Sequence, residues 1–187
     1  MSDAFRVLYV CTGNVCRSAA AQQLLLHLAR PEDDVVVASA GTGALEGWDV
    51  DAPTAAALTE VGVSPVPHEA LWITEAMVKD AHLILGATTE HRDRVLRMVP
   101  STMRRAFTMR EFARLGAEVE GAQGPDDRIR VVREVAGMRG QVDPPGPGAD
   151  DVGDPFGAGV EAARAMIAQV QPTVEATARL LGLGSAR

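Results

Sequence analysis

One short stretch near the start of the chain carries residue types suited to phosphoryl transfer. It runs from Cys11 to Ser18 and reads Cys-Thr-Gly-Asn-Val-Cys-Arg-Ser. Gly13 and Asn14 best tolerate a left-handed backbone, which lets a loop turn successive N–H groups inward around an anion. The stretch therefore predicts a phosphate-binding loop, whose members after Cys11 are Thr12, Gly13, Asn14, Val15, Cys16, Arg17 and Ser18.

Four side chains of this loop have distinct expected roles. Cys11 supplies a thiolate nucleophile, because inward N–H groups and the dipole of a following helix favour its ionised form. Arg17 presents a planar fork that matches two phosphate oxygens, which Lys does not reproduce. We expect Ser18 to donate a hydrogen bond to the thiolate and Asn14 to fix the loop through its amide. The predicted reaction is attack of Cys11 on phosphorus.

A proton donor is the second requirement of this reaction. A phenolate leaving group has a conjugate acid with a pKa of about 10, so a nearby carboxylic acid helps it to depart. Asp150, Asp151 and Asp154 lie together in one loop. Pro155 stiffens the backbone directly after Asp154, which favours Asp154 as the acid. The alternative is that all three aspartates only solvate the loop.

Strand-like runs alternate with helical patterns along the chain, which is typical of an α/β fold. The predicted strands cover 5–10, 34–38, 82–86 and 104–108. The predicted helices cover 18–30, 53–61, 89–99, 109–115 and 160–181. We expect Pro172 to kink or split the last helix. The order predicts a flavodoxin-like or Rossmann-like open parallel sheet of four strands with helices on both faces. Ligands bind at the carboxyl ends of such strands, where Cys11 stands.

The segment 116–153 differs from the rest in composition, because it is rich in Gly, Pro and Asp. We expect it to bury little apolar surface and to form a flexible excursion within a single domain that spans the whole chain. A helix is predicted within 125–139, with Arg128, Arg130 and Arg133 on its solvated face. The segment is then a candidate mobile flap or partner contact that precedes the acidic loop.

Composition excludes several classes of function. The formal net charge of −7 argues against a nucleic-acid binder. No apolar run approaches the roughly 20 residues that cross a bilayer, and the first residues do not resemble a signal peptide, so we expect a cytoplasmic protein without membrane contact. Two cysteines and four scattered histidines suggest neither a metal nor a disulfide framework. His82 is expected in the core and His68 in a loop or cap.

Three motifs resemble the low-molecular-weight protein tyrosine phosphatase family. They are the loop with the preceding Val10, the run Ser39-Ala40-Gly41-Thr42 after the second strand, and Asp154-Pro155-Phe156 before the last helix. The resemblance covers most of the chain outside 116–153. It implies Cys11 as nucleophile, Arg17 as phosphate clamp and Asp154 as general acid. It also implies a cysteinyl-phosphate intermediate, no cofactor, and a phosphorylated protein or an aryl phosphate as substrate.

The sequence departs from that family at several positions. Ala19 and Gln22 stand where the family commonly has Pro and Glu, and Phe156 is followed by Gly157 where the family often has two tyrosines. We expect Phe156 and Trp48 to form the walls of an aromatic substrate pocket, with ordinary packing as the alternative. The missing second aromatic residue leaves open whether phosphotyrosine is preferred over other phosphomonoesters.

Several alternatives remain open at this point. The resemblance implies that Cys16 forms a reversible, protective disulfide with Cys11, whereas a small buried residue is the other interpretation. An arsenate reductase that uses an external small thiol would share the fold, since no cysteine follows Cys16 to relay a disulfide. A silent phosphate-binding module is a third possibility, although it would need neither Cys11 nor Asp154. We expect a monomer.

Overall fold

Four parallel strands form the centre of the molecule. The computed structural model describes residues 4–184. The strands are β1 (Phe5–Cys11), β2 (Val35–Gly41), β3 (Leu83–Gly86) and β4 (Ala106–Thr108). Their spatial order is β2-β1-β3-β4, and every neighbouring pair is parallel. This confirms the predicted open sheet, and it brings the carboxyl ends of β1 and β3 side by side.

Helices cover both faces of this sheet, as predicted. They are α1 (Arg17–Leu28), α2 (Ala52–Glu60), α3 (Glu75–Asp80), α4 (Thr89–Met98), α5 (Met109–Leu115), α6 (Arg128–Gly137) and α7 (Gly159–Leu181). Side chains alternate across a strand, so Val7 and Tyr9 of β1 pack with α1 and α7, while Leu8 and Val10 pack with α3 and α4. Among the described helices, none is both long enough and apolar enough to cross a membrane.

Two predictions about helices need correction. The six-residue helix α3 was not predicted, because so short an element shows little periodicity. Helix α7 is one helix of 23 residues that continues through Pro172, so the proline does not split it. Buried side chains on both sides of the proline, including Val170 and Val174, hold the helix against the core.

The expectation that 116–153 buries little apolar surface is wrong for its central part. Helix α6 lies there and turns Val131, Val132 and Val135 into the main core. Arg128 is not on a solvated face, since its Nε donates to Leu181 O at 2.9 Å and its side chain is buried. The aliphatic residues of α6 share one face, and this pattern outweighs the polar composition around them.

Candidate active site

The loop after β1 is shaped by Asn14. This residue adopts a left-handed φ of 58°, whereas Gly13 does not, contrary to expectation. The Asn14 amide nitrogen donates to Ser18 Oγ at 3.0 Å and to Ser39 Oγ at 2.8 Å. Its carbonyl oxygen accepts from Leu71 N at 2.9 Å. The side chain is fully buried, so these bonds fix the loop against both neighbouring segments.

The sulfur of Cys11 lies among hydrogen-bonding groups. Ser18 Oγ is 2.9 Å from Sγ, and Asn14 N donates to Sγ at 3.3 Å. Within residues 4–184, the backbone N–H groups of Gly13, Val15, Cys16 and Arg17 have no protein acceptor. Helix α1 begins at Arg17, so its first unpaired N–H groups belong to the same region. This set of donors is suited to an anion beside the sulfur.

Arg17 and Asp154 meet at the edge of this loop. Arg17 Nη2 donates to Asp154 Oδ2 at 2.6 Å, and Nη1 donates to Val152 O at 3.4 Å. The second carboxylate oxygen of Asp154 accepts from Phe156 N at 3.2 Å. Arg17 is buried, and its Nε has no acceptor in the described part of the chain. A buried guanidinium donor without a partner favours an anionic ligand there.

The residues before Asp154 are anchored to the sheet. Val152 N donates to Ala87 O at 2.9 Å, just beyond the end of β3. Asp151 Oδ1 accepts from Thr89 N at 2.7 Å, which caps α4. Asp150 forms an ion pair with Arg114 at 2.7 Å. Of the three aspartates considered from the sequence, only Asp154 therefore faces the pocket at Cys11.

A pocket of about 160 Å³ unites these groups. The residues that line it are Cys11, Thr12, Gly13, Val15, Cys16, Arg17, Gly43, Leu45, Asp154 and Phe156. Phe156 lines this pocket and Trp48 does not, while the role of Phe156 in binding a substrate stays a prediction. Leu45 takes the place expected for Trp48, because the loop after β2 turns at this point, with Trp48 N bonded to Leu45 O. The tryptophan ring is mostly exposed.

Sequence reasoning missed a chain of hydrogen bonds through His91. Its Nε2 lies 3.0 Å from Thr12 Oγ1, and its Nδ1 lies 2.7 Å from Thr88 Oγ1. Thr12 Oγ1 also accepts from Arg17 Nη2 at 3.4 Å. Burial, followed by the positive charge of Arg17, lowers the pKa of His91 to about 4. His91 is therefore neutral at physiological pH and supports the guanidinium through Thr12.

Two further residues support the loop from a distance in sequence. His68 lies in a loop, as expected, and its Nε2 is 2.7 Å from Asn14 O. Ser39 donates to Gln22 Oε1 at 2.6 Å and accepts from Asn14. Gln22, which stands where the family commonly has Glu, thus accepts a hydrogen bond that holds Ser39 in place. Nothing in the sequence indicated these contacts, because each one joins residues that are at least 17 positions apart in the chain.

Both cysteines are free thiols in this structure. Burial raises the pKa of the Cys16 thiol well above its ordinary value, and the carboxylate of Asp51 adds to the shift. The neutral thiol is the weaker nucleophile of the two ionisation states. The disulfide between Cys11 and Cys16 stays a prediction. Among residues 4–184, no group of three or more potential ligands could hold a metal ion.

Comparison with known proteins identifies relatives among the low molecular weight phosphatases. Residues 6–125 match the model of the low molecular weight phosphotyrosine protein phosphatases. A protein-arginine-phosphatase of Geobacillus stearothermophilus is 27% identical over 177 residues, which cover 95% of this chain and 96% of that protein. A probable low molecular weight protein-tyrosine-phosphatase of Ralstonia solanacearum, EpsP, is 35% identical over 57% of this chain and 71% of its own length.

Solved structures show the same fold. The YwlE arginine phosphatase from Geobacillus stearothermophilus superimposes with a TM-score of 0.69 at 26% identity, over 93% of this chain and 90% of that one. The tyrosine phosphatase AmsI of Erwinia amylovora gives a TM-score of 0.70 at 22% identity, over 95% and 93% of the two chains. At 22% identity, the similarity to AmsI shows a shared fold only.

Proposed function

This chain belongs to the low molecular weight phosphotyrosine protein phosphatase family, and from that premise we propose that it hydrolyses phosphotyrosine in proteins through a cysteinyl-phosphate intermediate. One observation carries the proposal. Cys11, Arg17 and Asp154 line a single pocket, with Ser18 and Asn14 N bonded to the sulfur. Nucleophile, anion clamp and proton donor are thus within reach of one phosphate group.

Binding of the phosphate dianion is the first step. The unpaired loop N–H groups and the buried Nε of Arg17 are donors that need little rearrangement to meet it. A phosphate oxygen then competes with Asp154 for Nη2 of Arg17. The next step requires Asp154 as the carboxylic acid, a form that places no second anion beside the bound phosphate.

Transfer to sulfur and hydrolysis follow. The Cys11 thiolate forms the S–P bond while the bond from phosphorus to the phenolic oxygen breaks, and Asp154 gives its proton to that oxygen. A water molecule then attacks phosphorus, Asp154 accepts a proton from it, and the S–P bond breaks. The products are inorganic phosphate and the regenerated thiolate, which Ser18 stabilises by its hydrogen bond.

The pocket walls support an aromatic leaving group. Val15, Leu45 and Phe156 present apolar surface around the phosphate loop, which suits the flat ring of phosphotyrosine. Asp154 is the one carboxylate in the lining, and it pairs with Arg17. Phosphoarginine is the second candidate, because the relative that aligns over 95% of this chain is a protein-arginine-phosphatase. Its guanidinium group would find no carboxylate in this wall besides Asp154, the residue that the proposed reaction uses as proton donor.

Substitution of the nucleophile tests the mechanism. In Cys11→Ser, we expect turnover of an aryl phosphate to fall by at least about a thousandfold. Rapid quenching of the unsubstituted enzyme followed by peptide mass spectrometry should find one phosphoryl group on Cys11. Asp154→Asn should keep this adduct but slow phenyl phosphate turnover by about a hundredfold or more. Retained activity in Cys11→Ser would refute the covalent route.

Paired peptides test the substrate. We expect kcat/KM to be higher for a phosphotyrosine peptide than for a phosphoarginine peptide of the same flanking sequence. The reverse order would overturn the phosphotyrosine assignment without touching the phosphatase chemistry.

Two further assays separate the rival functions. Arsenate loss with a small thiol but no ester hydrolysis indicates a reductase. Phosphate binding without any turnover indicates a silent phosphate-binding module.

A further inference from the structure

A second pocket lies at the amino-terminal ends of β3 and β4, and we call it the arginine pocket. Its lining residues are His82, Ser101, Arg104, Arg105, Ile129, Val132 and Arg133. It encloses about 470 Å³, against about 160 Å³ for the pocket at Cys11. Val7 of β1 pairs with Leu83, the first residue of β3, which follows His82 of the arginine pocket. Cys11 lies four residues farther along β1, which corresponds to about 13 Å. The two pockets therefore lie at opposite ends of the strands.

The arginine pocket concentrates positive charge that the protein does not neutralise. Among residues 4–184, most arginines donate to a carboxylate or a carbonyl oxygen. The four described arginines without such an acceptor are Arg94, Arg97, Arg104 and Arg133. Two of these four, Arg104 and Arg133, line this pocket, and no carboxylate lines it with them. In a chain with a net charge of −7, this local excess of positive charge is suited to an anionic ligand.

The remaining walls are fixed in place. The Arg105 guanidinium donates to Lys79 O at 3.2 Å and to Ala81 O, so these carbonyl groups hold its charge in place. The ring of His82 accepts from Arg6 N at 2.9 Å and stacks on Phe5 with centroids 5.2 Å apart. These contacts hold the wall at the sheet in one geometry, which lowers the cost of ordering on binding.

Helix α6 contributes the apolar side of the arginine pocket. Ile129 and Val132 face it from this helix, next to Arg133. The helix spans Arg128–Gly137 and lies beyond residues 6–125, which match the family model. No residue of this wall lines the pocket at Cys11, so the phosphatase reaction gives no reason for its composition. A ligand that uses it needs an apolar portion as well as negative charge.

We propose that the arginine pocket binds a small phosphate-bearing ligand of nucleotide size. Arg104 and Arg133 hold its phosphate oxygens through their guanidinium forks, with Arg105 adding a third positive charge. The apolar body of the ligand lies against Ile129 and Val132. The volume falls within the range of small-molecule sites, which is about 300–1,000 Å³. The site is separate from the phosphatase pocket, and its ligand is bound rather than hydrolysed.

Calorimetric titration of ADP and tripolyphosphate tests this proposal. The parent protein is Arg17→Met, which removes the clamp of the phosphatase pocket while keeping a buried stem of similar length. We expect one binding site in the parent and about a hundredfold weaker binding after Arg104→Ala and Arg133→Ala are added, since each charged hydrogen bond accounts for about tenfold. The matched control adds Arg94→Ala and Arg97→Ala, which remove the same charge elsewhere, and should bind as the parent does.

The outcomes separate the ligand sources and the rival explanations. Tighter binding of ADP than of tripolyphosphate supports a nucleotide, and the reverse order would overturn the proposed apolar contact with Ile129 and Val132. A second variant, Ile129→Glu, places a carboxylate in the wall without touching an arginine, and should also abolish binding. Equal weakening in the control pair would reduce the effect to general attraction of anions and overturn the proposal. So would no binding of either probe at millimolar concentration. Thermal unfolding of every variant checks that its fold matches the parent.

Discussion

The side chains of Asp150, Asp151 and Asp154 are chemically identical, and their surroundings give them different tasks. Asp150 is held by Arg114 and Asp151 by the first turn of α4. Both carboxylates serve to attach the loop to the rest of the molecule. Asp154 instead pairs with Arg17, whose other contacts include the hydroxyl of Thr12. In the proposed reaction a bound phosphate competes for that arginine, so Asp154 is the aspartate that changes partner.

His91 supports the same arginine without contacting it. The imidazole joins Thr88 to Thr12, and Thr12 accepts from Arg17. A protonated imidazole at this place would be a buried charge near a guanidinium, which explains why its pKa falls to about 4. Glu90, Asp151 and Asp154 act in the opposite direction, more weakly than burial and Arg17 together.

The low pKa of His91 makes the fold sensitive to acid. Well above pH 6.5 the imidazole is neutral in both the folded and the unfolded chain, so it contributes almost nothing to the pH dependence of stability. Between pH 6.5 and 4 the unfolded chain binds the proton more readily, so stability is lost as pH falls. From pH 7.5 to pH 5 we expect a loss of about 2 kcal/mol from this residue, measured by urea unfolding.

Substitution isolates this contribution. His91→Gln should lower the unfolding free energy at pH 7.5, yet lose about 2 kcal/mol less than the unsubstituted protein on moving to pH 5. His27→Gln is the matched control, because His27 is exposed on α1 and should leave the pH dependence as it was. If His91→Gln and the unsubstituted protein showed the same change with pH, the imidazole would not be buried in its neutral form.

Apart from Asp154 and Phe156, which a second motif indicated, the part of the site that the sequence predicted is local in the chain. Cys11 and Ser18 are seven residues apart, and their contact follows from a loop that turns into a helix. His91 and Thr12 are 79 residues apart, so no spacing could indicate that they meet. Trp48 and Leu45 illustrate another limit, because they share one loop and composition does not say which side chain turns inward.

Attachment of the acidic loop depends on two neighbouring elements. Asp151 accepts from both the backbone and the hydroxyl of Thr89 at the start of α4, and Val152 is bonded to Ala87 after β3. These bonds set where the backbone leaves the sheet, three residues before Asp154. The expected mobile flap is therefore tied down at the end nearest to the chemistry. Positioning of the acid should depend on this anchor.

Removal of the anchor should affect catalysis through the proton donor. In Asp151→Ala, we expect kcat for phenyl phosphate to fall by roughly ten- to hundredfold, because the acid is displaced from its productive position. The loss should be smaller for an aryl phosphate with a more acidic phenol, which needs less help from an acid. Asp143→Ala in the same segment is the control, since Asp143 is exposed. Equal losses for the two substrates would exclude a role through Asp154.

Some elements were predictable from a few residues and others were not. Helix α5 begins and ends as predicted, because Thr108 and Glu111 form a capping box that fixes its first turn. Pro172 misled the prediction for α7, since the loss of one backbone bond is outweighed by burial along a 23-residue helix. The burial of α6 was hidden by the glycines and prolines around it. Tertiary packing decided both cases.

Helix α6 belongs to the larger of the two hydrophobic clusters within residues 4–184. Val131, Val132 and Val135 share that cluster with Leu25 of α1 and Val170 of α7. Arg128, at the start of α6, donates to Leu181 O near the end of the chain and to Asp34 O near its beginning. We therefore infer that the segment 116–153 and the sheet unfold together, in keeping with a single domain.

A buried valine of α6 tests this inference over the whole molecule. Val135→Ala removes apolar volume from the core, so we expect the free energy of unfolding to fall by about 2 kcal/mol. Trp48 and Trp72 lie beside the end of β2, with Trp72 bridged to Gly41, so their fluorescence reports on a region remote from α6. If the chain unfolds as one unit, fluorescence and far-ultraviolet circular dichroism should shift to the same lower midpoint.

The matched control for that experiment is Val36→Ala, because Val36 is about half exposed on β2 and should change the midpoint little. Separate midpoints for the two probes in Val135→Ala would mean that α6 melts independently of the sheet. In that event the wall of the arginine pocket would loosen while the phosphate loop stayed intact. Phosphatase activity would then survive at denaturant concentrations where binding to the arginine pocket is lost, whereas a single folding unit requires both to disappear together.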